Sequence, residues 1–222
     1  MSTHKGQIMN NTIKTLIIDD HPLFRKGVIQ LLGMEPEFDI IAEAASGAEG
    51  VALALEHKPD LILLDLNMKG LNGIETLQQM RDKDVDARII MITVSNSSED
   101  LVGAIRAGSD GYILKDTDPE EMIRLIKESM LGRNAISAEL SGLLASALRQ
   151  EAVVTNRSQA SLTERELSIL KCLAHGMSNK LIARELDIMD STVKVHIRNL
   201  LKKLKFRSRV EAAVWAVSNN LS

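Results

Sequence analysis

Between residues 15 and 131 the chain alternates short, mainly apolar runs with amphipathic helical patterns, and this alternation restricts the fold more than any other feature. The runs TLIID (15–19), DIIAEA (39–44), DLILLDL (60–66), ARIIMIT (87–93) and GYIL (111–114) are four to eight residues long and rich in Ile and Leu. Such lengths suit strands, and continuous rather than alternating apolarity is what a parallel sheet needs when helices cover both faces. Helical patterns fall between them at roughly 22–33, 47–57, 72–82, 98–107 and 118–131. Start signals support several: Ser46, Ser97, and Asp118 followed by Pro119. Five strand and helix pairs in strict order predict a doubly wound α/β domain with a five-stranded parallel sheet. Its binding crevice must lie at the carboxyl ends of the strands.

The remainder reads differently. Residues 137–149 carry one more helical pattern, and EAVVTNRSQAS at 151–161 is polar and unpatterned, as a linker is. Beyond it only helices are expected, at roughly 163–174, 178–186, 190–204 and 207–218. The expected organisation is a domain over 13–132, a linker with one helix over 133–160, and an all-α four-helix domain over 161–222. Charge divides at the same place. Residues 1–157 hold 16 Lys and Arg against 24 Asp and Glu, a net −8, while residues 158–222 hold 11 against 6, a net +5. An acidic module joined to a basic one points to nucleic acid as a partner of the second. Aromatic residues make up only 2% of the chain, too few for platforms that stack single-stranded bases. The single cysteine, Cys172, can form neither an internal disulfide nor a cysteine-based zinc site and reads as a buried small hydrophobe. His175 and His196 have no second ligand at metal spacing, and Trp215 reads as core. No apolar run approaches the roughly 18–20 residues that span a bilayer, and the first residues lack the apolar stretch of a secretory signal, so the expected location is the cytoplasm, away from membrane.

Strand ends carry the chemistry of the first domain. Asp19 and Asp20 end the first run and Asp65 ends the third, which brings three carboxylates to one edge of the sheet. Clustered negative charges repel unless a cation sits among them, and a hard divalent cation such as Mg²⁺ takes oxygen ligands of this kind. Thr93 closes the fourth run and Lys115 follows the fifth. A carboxylate, a cation, a hydroxyl and an ammonium converging on one crevice suit a phosphoryl group, with Asp65 as the nucleophile. Each residue alone has a plain structural reading: Asp19 or Asp20 as a cap of the next helix, Thr93 as a satisfied strand-end hydroxyl, Lys115 as a solvated cation, Tyr112 as core. Their joint placement favours the site.

The stretches IIDDHPLFRKG, LLDLNMKGLNG, MITVS and DGYILKD resemble, in this order, the receiver domain of two-component response regulators. The resemblance implies that Asp65 accepts phosphate from a sensor histidine kinase. It also implies that Asp19, Asp20, Asp65 and the backbone carbonyl of Asn67 hold Mg²⁺, and that Thr93 and Lys115 contact the phosphoryl oxygens. Tyr112 matches the aromatic that changes rotamer with Thr93 in the family's switch. Haloacid-dehalogenase-like phosphatases share the aspartyl-phosphate but need a second Asp two positions after the nucleophile as general acid. Asn67 stands there and cannot transfer that proton. Asp116 follows Lys115 where many receivers have proline, so a cis bond there would cost about 2.5–4 kcal/mol.

In the basic region, SNKLIARELDIMDSTVKVHIRNLLKKL at 178–204 has the length and order of a helix-turn-helix. Val193, Ile197, Leu200, Leu201 and Leu204 form one stripe of the second helix, while Lys194, Arg198, Lys202 and Lys205 follow a neighbouring face. A helix pinned by one stripe and cationic on another suits the major groove, although solvated lysines on an amphipathic helix give the same pattern. Residues 160–218 resemble the LuxR-type output domain of the NarL/FixJ response regulators, and LNMKGLNG, TVSN, VKVHIRNLLKKL and SRVEAA are most similar to its nitrate/nitrite regulators, NarL and NarP. The resemblance implies that Lys194, Val195 and Arg198 face base edges. Asn179, Lys180, Ser191, Thr192, Lys202 and Lys205 are candidates for DNA phosphates, with Ser191 equally suited to cap the helix. Val210, Ala213, Val214 and Val217 would serve partly as core and partly as a dimer surface. The implied function is a transcription factor rather than an enzyme, dimeric on promoter DNA, with RNA polymerase a further partner. A response regulator of the same family with an unrelated input, an aspartyl-phosphate phosphatase and a phosphorelay module without DNA binding are the alternatives. The charge division suggests that the unphosphorylated receiver covers the basic helix.

Overall fold

The computed structural model describes residues 12–133, 135–136, 140, 162–219 and 221. The first strands and helices are β1 (Ile13–Ile18), α1 (Pro22–Gly33), β2 (Phe38–Ala44), α2 (Gly47–His57), β3 (Leu61–Asp65), α3 (Gly73–Asp82), β4 (Arg88–Thr93), α4 (Ser98–Ala107), β5 (Gly111–Leu114) and α5 (Pro119–Met130). A sixth strand, β6 (Ala135–Ile136), follows α5. All strand pairs are parallel, in the order β2-β1-β3-β4-β5-β6. Successive strand residues feed opposite layers. Leu16, Ile18, Ile62 and Leu64 pack with Leu77, Met80, Leu101 and Ile105, whereas Ile17, Leu61 and Leu63 pack with Val28, Leu32, Ile123 and Ile126. Apolarity on both parities is therefore the consequence of helices on both faces. Ser46, Ser97 and Asp118 cap α2, α4 and α5 through backbone amides of their first turns.

Among the described residues the sheet thus has six strands rather than five. The extra one, β6, pairs Ala135 with Gly111 and Ile136 with Tyr112 in a stretch expected to be linker. Two residues are too few for any periodic signal. Gly111 permits the approach, since a Cβ there would stand 2.6 Å from the Ala135 side chain. The helix expected over 137–149 lies, Leu140 apart, outside the described residues, as does the polar stretch 151–161.

The remaining helices are α6 (Glu164–Ala174), α7 (Asn179–Glu185), α8 (Asp190–Leu204) and α9 (Arg209–Ser218). Ile169, Leu170, Leu173, Ile182, Val193, Ile197, Leu200, Leu204, Ala212 and Ala216 form their own core. Leu201 is only partly buried at its edge. Trp215 is half-buried rather than central, tilted against Phe206 at 5.7 Å between ring centroids. Val210 is fully buried in the layer that covers one face of the sheet, and Val214 packs against the same layer, so the start of α9 seats on the first domain.

Candidate functional site

The strand order reverses between β1 and β3, and parallel sheets open a crevice at that point. Asp19 and Asp20 leave β1 on one side of it, and Asp65 ends β3 on the other. Asp19 and Asp65 are almost fully buried. Asp19 Oδ1 accepts from the His21 amide at 2.7 Å, and Asp65 Oδ1 accepts from the Asn67 amide at 3.3 Å. Lys115 Nζ lies 2.8 Å from Asp19 Oδ2 and 3.1 Å from Asp65 Oδ2. Its ammonium also stands 4.6 Å from the centre of the Phe24 ring. Thr93 Oγ1 accepts from Asn67 Nδ2 at 3.2 Å and from the Ser95 amide at 3.0 Å. The structure thus brings together five of the expected receiver residues: Asp19, Asp65, Asn67, Thr93 and Lys115.

Asp20 is the sixth, on the outer lip, where its Oδ2 accepts from the Lys69 amide at 3.2 Å. Neither Asp19 nor Asp20 caps α1: His21 holds that position without a side-chain capping bond. Tyr112 is fully buried, and its hydroxyl donates to the Ser95 carbonyl at 2.9 Å. Burial, helped by Asp100, pushes its phenol up to about 12. The peptide after Lys115 is trans, as are all those described.

Burial, and then the charge of Asp19, raise the Asp65 carboxyl above its ordinary value, against the opposing pull of Lys115 and the Asn67 amide. One ammonium does not offset three carboxylates. Asp19 Oδ2, Asp20 Oδ1 and Asp65 Oδ2 are buried atoms with no hydrogen bond, although Lys115 lies at ion-pair distance from two of them. Orphaned carboxylate oxygens in one pocket fit a hard divalent cation. Sequence reasoning passed over His21, whose Nδ1 lies 3.0 Å from Asp20, 3.4 Å from Asp19 and 3.8 Å from Asp65. Its position directly after the paired aspartates was the available signal.

The helical domain presents its expected cations unevenly. Lys180, Lys202 and Lys205 are exposed, as are Lys194, Val195 and Arg198. Lys194 stands 3.7 Å from Asp190, one turn earlier. Arg198 Nη2 lies 3.2 Å from Asp86, in the loop before β4, and Arg207 lies 3.5 Å from Asp82 at the end of α3. Ser191 does not cap α8, because the helix begins at Asp190 and takes Ser191 into its first turn. Met189 is its N-cap, without a side-chain bond, and the Met189 carbonyl accepts from the Thr192 and Val193 amides. Ser191 is exposed and Thr192 half-buried. Asn179 is turned inward: its Oδ1 accepts from Arg209 Nη1 at 2.8 Å, and Arg209 Nη2 donates to the Met177 carbonyl at 2.8 Å. Arg209, not foreseen from sequence, is buried, and desolvation lowers its guanidinium to about 9, with Arg88 adding and Asp110 opposing. Cys172 is buried and its thiol pushed up by desolvation, in keeping with an inert hydrophobe. His175 Nδ1 is engaged with the Lys171 carbonyl at 2.9 Å.

Comparison with known proteins follows both halves. Residues 15–127 match the response regulator receiver domain, and residues 160–216 match the bacterial regulatory proteins of the luxR family. The chain is 50% identical over 200 residues to the nitrate/nitrite response regulator protein NarL of Escherichia coli K12, covering 90% of this chain and 93% of that one. It is 47% identical over 201 residues to NarP of the same organism, with the same coverage. Among solved structures, a LuxR-family two-component response regulator from Aurantimonas superposes with a TM-score of 0.59 at 34% identity, over 62% of this chain and 98% of that one. The acidic crevice at the sheet's turning point and the helix-turn-helix with its cationic face therefore have one explanation: the chain belongs to the NarL-like response regulators, a receiver domain joined to a luxR-type DNA-binding domain.

Proposed function

We propose that Asp65 is phosphorylated by a sensor histidine kinase and that this modification controls binding of α8 to promoter DNA. The observation that carries the reading is the crevice itself, a buried nucleophile flanked by orphaned carboxylate oxygens and one ammonium. Asp19, Asp20, Asp65 and the Asn67 carbonyl would hold Mg²⁺, which when bound neutralises the carboxylates and the incoming phosphoryl oxygens. In the transfer, an Asp65 oxygen forms a bond to phosphorus while the bond to the kinase imidazole breaks, and that imidazole leaves with the electron pair and takes a proton. Lys115 is positioned to pair with a phosphoryl oxygen. The Thr93 hydroxyl, which accepts from Asn67 and the Ser95 amide, is positioned to donate to another. Tyr112, tied to the Ser95 carbonyl next to that hydroxyl, would report its movement to α4. Asn67 cannot act as a general acid, which favours a lasting aspartyl-phosphate over phosphatase turnover.

Lys194, Val195 and Arg198 are the base-reading candidates. Lys180, Ser191, Thr192, Lys202 and Lys205 are candidates for phosphate, joined by Asn179 through the amide nitrogen that Arg209 leaves free. In the present arrangement Arg198 is paired with Asp86, and Val210 is buried against the receiver, which supports a closed, unphosphorylated state in which α8 is withheld from the major groove. Opening would release α8 and the α9 face that holds Val214 and Val217, the expected homodimer surface. The names of the relatives favour nitrate or nitrite as the input and anaerobic respiration genes as the output, with RNA polymerase as a contact at those promoters. Among the described residues no helix is long and apolar enough to cross a membrane, and the proposed site of action is the cytoplasm.

Mapping binding sites across the genome with Asp65 intact and with Asp65→Ala tests the reading. Occupancy should rise under the inducing signal only with Asp65 intact; identical maps would overturn it.

A further inference from the structure

Arg209, the first residue of α9, is a cation with no charge to answer it. It is only 5% exposed, yet among the described residues no carboxylate stands within ion-pair distance of its guanidinium. Both of its hydrogen bonds go to neutral oxygens, from Nη1 to Asn179 Oδ1 and from Nη2 to the Met177 carbonyl, each at 2.8 Å. Asp110 attracts it from farther away and Arg88 repels it. A buried charge with only neutral partners is costly, so packing by itself is a poor account of an arginine here.

Its grip on Asn179 supplies a better one. A guanidinium has donors and no acceptor, so the oxygen of the Asn179 amide must face Arg209 and the nitrogen must face the other way. That nitrogen makes no hydrogen bond among the described residues, and the neighbouring Lys180 is exposed. Without Arg209 the amide could turn over and offer an oxygen in place of a donor. The cation also polarises the amide, which strengthens its N–H toward an anion on the far side. The end of the receiver seals this pair from water. Gly132, just after α5, has φ +87°, and a Cβ there would stand 2.9 Å from Arg209 Nη1 and 3.0 Å from the Asn179 backbone nitrogen.

We propose that Arg209 is a positioning residue for DNA binding: by holding Asn179 Oδ1 it fixes the Asn179 side-chain nitrogen as a donor to a phosphate of the duplex. The proposal rests on the reading of the helical domain as DNA-binding and adds to it a residue outside the helix-turn-helix. A phosphate contact adds affinity to every sequence alike.

The test uses the full chain activated with beryllium fluoride and MgCl₂. The probe is a labelled duplex of arbitrary sequence, about 30 base pairs long, followed by fluorescence anisotropy. Asn179→Asp keeps an oxygen for Arg209 and removes the donor, so its melting temperature should not fall while duplex affinity drops about tenfold or more. Arg209→Lys should lower affinity about fivefold in the wild-type background and less than about twofold once Asn179 is replaced by Ala, because its effect passes through that amide. A residue needed only for packing would cause the same loss in both backgrounds. Unchanged affinity in Asn179→Asp, or equal losses from Arg209→Lys in the two backgrounds, would overturn the proposal and leave DNA binding standing. If Arg209→Lys does not fold, Asn179→Asp decides alone. An activated wild type that fails to bind the duplex would instead bring down the DNA-binding reading, and the proposal with it.

Discussion

Asp65 sits where burial and a neighbouring carboxylate oppose its charge, and the consequence is thermodynamic as well as chemical. Its folded pKa lies above its unfolded one, so between the two values the folded state binds more protons, and stability falls as pH rises through that window. In EDTA, Asp65→Asn should therefore melt higher than wild type at neutral pH, and the difference should shrink as pH drops below the ordinary carboxylate range; thermal melts across pH measure it. Mg²⁺ should raise the wild-type melting temperature and leave Asp65→Asn much less affected. Asp110 is the opposite case. Burial pushes it up, but Arg81 at 2.7 Å, Arg88 at 3.0 Å and the Ile89 amide prevail and hold it below its usual value. Its contribution is present above the unfolded carboxylate pKa and is lost as pH falls through the folded one. Asp110→Ala strands Arg81 and Arg88 and should cost about 3–5 kcal/mol in denaturant unfolding. Asp65 was legible in sequence because it ends an apolar run, whereas Asp110 was not, since nothing local distinguishes a carboxylate that pairs with arginines 22 and 29 residues away.

At the scale of elements, α8 divides its work between two faces. Leu200 is fully buried in the helical core, so Leu200→Ala should destabilise the DNA-binding domain by about 2–5 kcal/mol, seen as loss of its unfolding transition. Arg198→Ala should leave stability unchanged but relax sequence preference at one base pair by about 1–3 kcal/mol. Lys202→Ala should weaken all sequences alike and reduce the salt slope of binding by about one. Competition titrations on matched and mismatched duplexes separate these outcomes. The 3.6-residue period of the apolar side chains is enough to identify the buried stripe of α8. The bounds expected for this helix, 190–204, are those observed; only the cap differs, because Met189 supplies the carbonyl that the first-turn amides need and Ser191 falls inside the helix. The edge strand β6 escaped notice for a related reason: its signature is a pairing partner, Gly111, and not a pattern of its own.

Across the whole molecule, the contact between the domains joins two exposed ion pairs to one buried patch. Asp86 and Arg198 are 89% and 71% exposed at their side chains, so their pair is screened and adds little. Asp82→Ala with Asp86→Ala should accordingly raise the DNA affinity of the unphosphorylated chain by less than about fivefold. Val210→Ala, which removes packing against the receiver, should raise it further, as read by fluorescence anisotropy, and should expand the chain in solution scattering. If the acidic pair proved the stronger lock, the attribution of closure to packing would be wrong.

What sequence alone determined here is whatever depends on short range: the strand and helix order, the caps at Ser46, Ser97 and Asp118, the apolar stripe of α8, and the carboxylates at strand ends. These follow from the periods of 2 and 3.6 and from local hydrogen-bonding need. Tertiary structure alone decided which groups meet across long separations: His21 over the pocket, Arg209 on Asn179, Asp86 on Arg198, and Val210 against the receiver. Each of those is a contact whose partners share no periodic signal, and it exists only because chain topology places two otherwise ordinary surfaces within reach.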